Sequence, residues 1–145
     1  MAPPLLTIAD AGINLGDKWL LRGASLALHT GDRLVLVGRN GAGKSSLMKL
    51  LAGQSEMDEG TLWTAPGAKI AYLPQAPNIP AGMTLRAVVT AGVDFAQLDK
   101  IEHKADGILM RMGLDPMRMS DGLSGGESRR VSLARAIYTQ PDILL

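Results

Sequence analysis

The sequence predicts an α/β fold that combines an antiparallel β-layer, parallel strands and a helical insert. Three observations carry that prediction. Two extended runs lie near the N-terminus, separated by a turn. A continuous apolar run, Leu34 to Val37, then leads through a glycine-rich loop into a helical pattern. Over about residues 83–122, apolar residues recur at intervals of three and four, the spacing of one helix face.

Taken in order, Leu5 to Leu15 mixes β-branched and small residues. The Gly-Asp of "LGDKW" supplies a turn, and Leu20 to Leu28 is extended again, which predicts an antiparallel pair. "HTGDR", His29 to Arg33, is a further turn. Leu34-Val35-Leu36-Val37 is apolar without alternation, as expected of a strand covered on both faces, and reads as a central parallel strand. Beyond the glycine loop, Leu47, Met48, Leu50 and Leu51 keep helical spacing, and Gly53 stands where a helix C-terminus favours it. "GTLWT" and "AKIAYLP" read as short strands divided by Pro66-Gly67. From Thr84 the pattern is helical. Phe95, Leu98, Ile101, Ala105, Ile108, Leu109 and Met112 then mark a helix capped by Asp94 and closed at Gly113. A last helix runs from Ser124 to Gln140 and stops at Pro141, after which "DILL" opens a buried strand. The organisation expected is one incomplete domain over residues 1–145, with the helical insert inside it.

Composition bounds the function. The chain has 145 residues, of which 46% are hydrophobic, enough for a core of ordinary size. A formal charge of +1 offers no global field for nucleic acid or an anionic membrane. The absence of cysteine excludes disulfides and thiolate metal sites. "MAPPLLTIAD" does not read as a signal peptide, and a reducing, cytoplasmic setting is expected. The apolar stretches are too short to span a bilayer, so no direct membrane insertion is expected.

The loop after the apolar run explains its own glycines. Gly38-x-x-x-x-Gly43-Lys44-Ser45 fits the phosphate-binding loop, in the strand–loop–helix order that gives the pattern meaning. Glycines there let successive backbone N–H groups turn toward a polyphosphate, which also meets the positive end of the helix dipole. The nucleotide-binding residues expected are Gly38, Arg39, Asn40, Gly41, Ala42, Gly43, Lys44, Ser45 and Ser46. Lys44 would set an ammonium between β- and γ-phosphates, and the Ser45 hydroxyl would join the Mg²⁺ shell. A purine nucleoside triphosphate with Mg²⁺ follows, although the loop does not choose ATP over GTP, or an enzyme over a switch.

A second motif, "LSGGE" from Leu123 to Glu127, precedes the helix carrying Val131, Ala134, Ile137 and Tyr138. Ser124 and Glu127 alone make a capping box, in which each side chain satisfies the other's backbone N–H. Gly125 and Gly126 do not serve a cap. Each costs a helix interior about 1 kcal/mol relative to alanine, and bare backbone suits the close approach of a second phosphate.

Together, "GRNGAGKS", "YLPQ" ending at Gln75 and "LSGGESRRVSLARA" resemble the Walker A, Q-loop and signature motifs of ABC-type ATPase domains, over nearly the whole chain. The resemblance implies a partial P-loop NTPase fold of ABC type that binds ATP with Mg²⁺ and hydrolyses it. In that reading Lys44 and Gln75 are catalytic, Ser45 and Gln75 face the metal, and Ser124, Gly125, Gly126 and Glu127 contact the nucleotide of a second ABC domain placed head to tail. It also implies an acidic Walker B pair and a switch histidine, which "PDILL" stops short of. The chain is therefore expected to be C-terminally truncated and inactive alone. Neither His29 nor His103 matches that histidine, and Leu15 stands before Gly16 where the family commonly has an adenine-stacking aromatic residue, with Trp19 nearby as a substitute or as β-layer packing.

Glu127 after the glycine pair and the short path from Lys44 to Gln75 look most like the soluble ABC-F branch, two fused ABC domains that act on ribosomes. The alternatives are an ABC transporter ATPase subunit coupled to a membrane permease, and a fragment that binds nucleotide without catalysis. Two features stay outside the site. The four methionines between Met110 and Met119 read as gap-filling core, and Arg129-Arg130 as a solvated helix face.

Overall fold

The computed structural model describes residues 3–91 and 98–145; Asp94 and Phe95, the expected cap and first apolar residue of the long helix, lie outside them. The described residues form two compact units, one over Met1–Tyr72 with Asp142–Leu145 and one over Leu73–Pro141.

The first unit is built on three antiparallel strands, β1 (Leu6–Leu15), β2 (Lys18–Leu28) and β3 (Glu59–Thr64), in the order β2-β1-β3. The pairing read from the sequence is present, with Leu6 opposite Leu28 and Leu15 opposite Lys18. β1 buries Leu6 and Ile8, then Ala11 and Ile13. That skip of one residue is a bulge, since the register with both neighbours shifts past Ile8 or Ala9 and Asp10 takes a positive φ of 51°. Gly60 (φ 96°) fits opposite it, where a Cβ would come within 2.5 Å of the Ala9 carbonyl oxygen. Gly60→Ala is therefore expected to destabilise the chain by more than about 1 kcal/mol. Chemical denaturation measures this, and an unchanged midpoint would show that the bulge relaxes freely.

Helix α1 (Lys44–Leu51) lays Leu47, Leu50 and Leu51 on the core made by Leu6, Ile8, Ala11 and Ile13, and ends through Gly53 at φ 69°. Two short strands, β4 (Ile70–Ala71) and β5 (Ile143–Leu144), pair in parallel. Asp142 fixes that pairing, its carboxylate accepting from the Lys69 amide at 2.8 Å.

The expectation of a buried central strand over Leu34–Val37 is not met. The segment joins no strand among the described residues, and its side chains are exposed, from 39% at Leu36 to 88% at Val37. A continuous apolar run encodes a strand with both faces covered by packed layers; here the run joins no ladder, and β4 and β5 pair with each other. Leu34 and Leu36 line a cavity of about 190 Å³ with Met48, Leu51 and Ile143.

The second unit is helical. Thr84 caps α2 (Leu85–Thr90) by accepting from the Ala87 amide at 3.2 Å. Helix α3 (Leu98–Arg111) closes through Gly113 at φ 70°, as expected, and α4 (Gly125–Tyr138) completes a core of Leu85, Val88, Val89, Ala105, Leu109, Leu114, Val131 and Ala134. Arg86 ties α2 to α3, with Nε 2.7 Å from Asp106 and Nη1 3.3 Å from Glu102. Of the four methionines read as core, Met112 alone packs against it. Met110 is exposed because helical spacing does not by itself say which face of α3 is covered, and Met117 and Met119 are exposed in the turn after it. No helix among the described residues is long and apolar enough to cross a membrane.

Candidate functional site

The glycine loop belongs to the first unit. Gly41 and Gly43 adopt φ of 80° and 87°, conformations open to glycine at little cost. Lys44 reaches back across the loop, its Nζ donating to the Gly38 and Arg39 carbonyl oxygens at 2.7 and 2.9 Å. This holds an ammonium at the start of α1. The same helix start has no side-chain cap, since Gly43 occupies the cap position. The first N–H groups of an α-helix have no partner within it. Here they are left on an exposed loop beside a cation, with the Ser45 hydroxyl also exposed. These residues suit an anion with several oxygens, and the Lys44 and Ser45 pair suits a polyphosphate carrying a hard divalent cation.

The starts of α2 and α4 differ. Ser124 precedes α4 in extended conformation (ψ 160°) with a complete capping box: its Oγ accepts from the Glu127 amide at 3.3 Å, and Glu127 Oε2 accepts from the Ser124 amide at 2.9 Å. Gly125 and Gly126 follow, exposed, and a Cβ at either would meet nothing within 4 Å. No contact among the described residues calls for glycine at these positions, although both weaken the helix. Ser124 and the two glycines form a bare helix start on the second unit, while the Arg129-Arg130 pair is exposed, as expected.

Glu127 has a partner that sequence reading missed. The Arg118 guanidinium forms a two-pronged pair with its carboxylate, Nη1 to Oε1 and Nη2 to Oε2 at 3.4 Å. With the Ser124 amide and hydroxyl, it pulls the Glu127 carboxyl down from an ordinary 4.5 to about 2. The sign follows from the depressed value. The stabilisation of the helix start is fully present above pH 4.5 and is lost as pH falls through about 2. Arg118 and Glu127 are nine positions apart across a turn, so no periodic signal links them.

Gln75 lies exposed in a bend of the second unit, whereas Lys44 and Ser45 are in the first. Trp19 packs within the β-layer: Arg22 stands over its ring at 5.0 Å, and its edge occupies the space a Cβ on Gly12 would need. His29 Nδ1 sits 3.4 Å from Asp32 in the turn after β2, and His103 is exposed on α3. Among the described residues no group of three or more His, Cys, Asp or Glu side chains could hold a metal.

Residues 21–145 match the family described as ABC transporter. The chain is similar to the ATP-binding protein Uup of Caulobacter vibrioides, 48% identical over 143 residues, which are 98% of this chain and 22% of that protein. It is also similar to the zinc import ATP-binding protein ZnuC of Photorhabdus laumondii, 38% identical over 97% of this chain and 54% of that protein. With ZnuC of Rhizobium etli the identity is 33%, over 97% of this chain and 45% of that protein. The chain thus spans between about a fifth and about half of these relatives' lengths.

Proposed function

Because the chain belongs to the ABC transporter ATPase family, we propose that its glycine loop and its signature helix serve two nucleotides in turn. Gly38 to Ser46 bind ATP in cis, with the N–H groups at the start of α1 on the phosphates, Lys44 on the β- and γ-phosphates and Ser45 toward Mg²⁺. Gln75, in the second unit, would serve Mg²⁺ and the attacking water. Mg²⁺, when bound, neutralises phosphate charge and orients the chain for attack. Ser124, Gly125, Gly126 and Glu127 present the start of α4 to the γ-phosphate held by a second ABC domain, so that ATP binding closes a head-to-tail sandwich. The single observation that carries this reading is the contrast between helix starts. The start of α1 is left uncapped beside a lysine, and the start of α4 carries two glycines that no contact among the described residues requires.

The whole protein is proposed to be a cytoplasmic two-domain ATPase of the ABC-F kind that acts on the ribosome, with residues 1–145 as one ABC domain holding a helical insert over about 83–122. Glu127 after the glycines and the short Lys44-to-Gln75 segment support this branch, as does the higher identity with Uup than with the zinc import proteins. The zinc import relatives support a second reading, an ATPase subunit that works on a membrane permease. Sedimentation separates the two. The whole protein, held with a non-hydrolysable ATP analogue, is expected to pellet with ribosomes, and to do so less as salt rises. Recovery with a membrane permease and none with ribosomes would replace the first reading by the second.

A further inference from the structure

Arg118 lies outside the signature motif, on an exposed loop before α4, yet it is the cation nearest the motif's charge. Glu127 places a carboxylate at the helix start where an incoming phosphate has to land. Its Oε2 is 2.9 Å from the Ser124 hydroxyl oxygen. A phosphate oxygen that accepts from that hydroxyl at about 2.8 Å therefore comes no farther than about 6 Å from the carboxylate. Two anions at that distance repel, and the repulsion is strong where closure excludes water. A second difficulty concerns the proton. The Ser124 hydroxyl donates to Glu127 Oε2, whereas a phosphate can only accept, so the hydroxyl has to give up the carboxylate to engage it.

Arg118 answers both. Its guanidinium covers the two Glu127 oxygens in a fork, which makes the pair electrically neutral and supplies donors that compensate Oε2 when the serine proton turns away. The Glu127 side chain is 21% exposed and that of Arg118 is 41% exposed, so the pair stands at the surface where a partner domain would meet it. We propose that Arg118 is a charge-compensating positioning residue of the signature helix, which cancels Glu127 so that Ser124 and the start of α4 can receive the γ-phosphate of a second nucleotide. The inference rests on the trans-phosphate role given to the signature above.

ATP turnover of the whole protein, measured against ATP concentration, tests it. Arg118→Met is expected to lower kcat/KM about tenfold by uncovering a like charge, with the loss smaller at high salt than at low salt. Adding Glu127→Gln to Arg118→Met removes that charge while glutamine still completes the capping box, so the double variant is expected to recover most of the loss. A purely structural Arg118 predicts the opposite, a further loss in the double variant. Arg118→Lys, which keeps the charge without the fork, is expected to stay within about threefold of wild type, and this variant decides the matter if Arg118→Met fails to fold. An unchanged Arg118→Met, a double variant no better than the single, or a tenfold loss in Arg118→Lys would overturn the proposal. Ser124→Arg in the same assay tells the two levels apart. If it leaves turnover intact, the trans-phosphate reading itself is wrong; if it abolishes turnover while Arg118→Met has no effect, only the role of Arg118 falls.

Discussion

Lys44→Ala is expected to weaken Mg·ATP binding by about 1.5–3 kcal/mol, the range for a charge-assisted hydrogen bond to a phosphate. Calorimetric titration of the chain with Mg·ATP measures it directly. The fold should be unaffected, because the two bonds that Lys44 makes here are to loop carbonyls, Gly38 and Arg39, and not to the core. Leu47, Leu50 and Leu51, which anchor α1, stay in place. A matching loss of stability in the variant would show that the ammonium holds the loop together, not the nucleotide. Equal affinity with and without the lysine would remove the loop from the binding site.

Local features of this chain were legible in its sequence because their causes are local. The β1–β2 pair is set by a Gly-Asp turn between extended runs, and the Ser124–Glu127 box by a spacing of three residues, so both follow from neighbours along the chain. The glycine loop was legible for the same reason, since its conformation depends on Gly41 and Gly43 themselves. Features that depend on distant partners were not. Leu34 to Val37 carries the pattern of a covered strand, but that pattern names neither the strands that would pair with it nor the layers that would cover it. Asp10 bulges opposite Gly60, fifty positions away, and only the register of β1 with β3 brings them together. Arg118 reaches Glu127 across a turn whose course is fixed by Ser120, which accepts from the Met83 amide at 3.3 Å and donates to the Pro80 carbonyl at 2.6 Å. Met110 fails for a related reason, because a three-and-four spacing repeats on every face of a helix and the covered one is chosen by packing, whereas Met117 and Met119 lie in the turn beyond the helix.

Ser124→Arg is expected to separate the two nucleotide roles most sharply. Ser124 is exposed, and nothing lies within 4 Å of a Cβ at Gly125 or Gly126, so a long side chain can be accommodated in the isolated chain without displacing its core. It loses a capping hydroxyl, at a cost of about 1 kcal/mol to the helix start. ATP affinity of this chain by calorimetry should then match wild type, since the glycine loop lies in the other compact unit. In the whole protein the outcome differs. An arginine side chain would occupy the approach to Gly125 and Gly126 and remove the hydroxyl donor, so turnover is expected to fall on the order of a hundredfold, comparable to losing a preorganised donor to a developing oxyanion. An arginine also brings a positive charge, which favours a phosphate. If charge partly offset shape at this helix start, turnover would still fall but by less than in Ser124→Ala, which loses the donor without adding bulk and would then be the more damaging change. The order of the two variants therefore reports whether the two glycines serve close approach, as their open surroundings suggest, or whether the start of α4 attracts phosphate by its field alone.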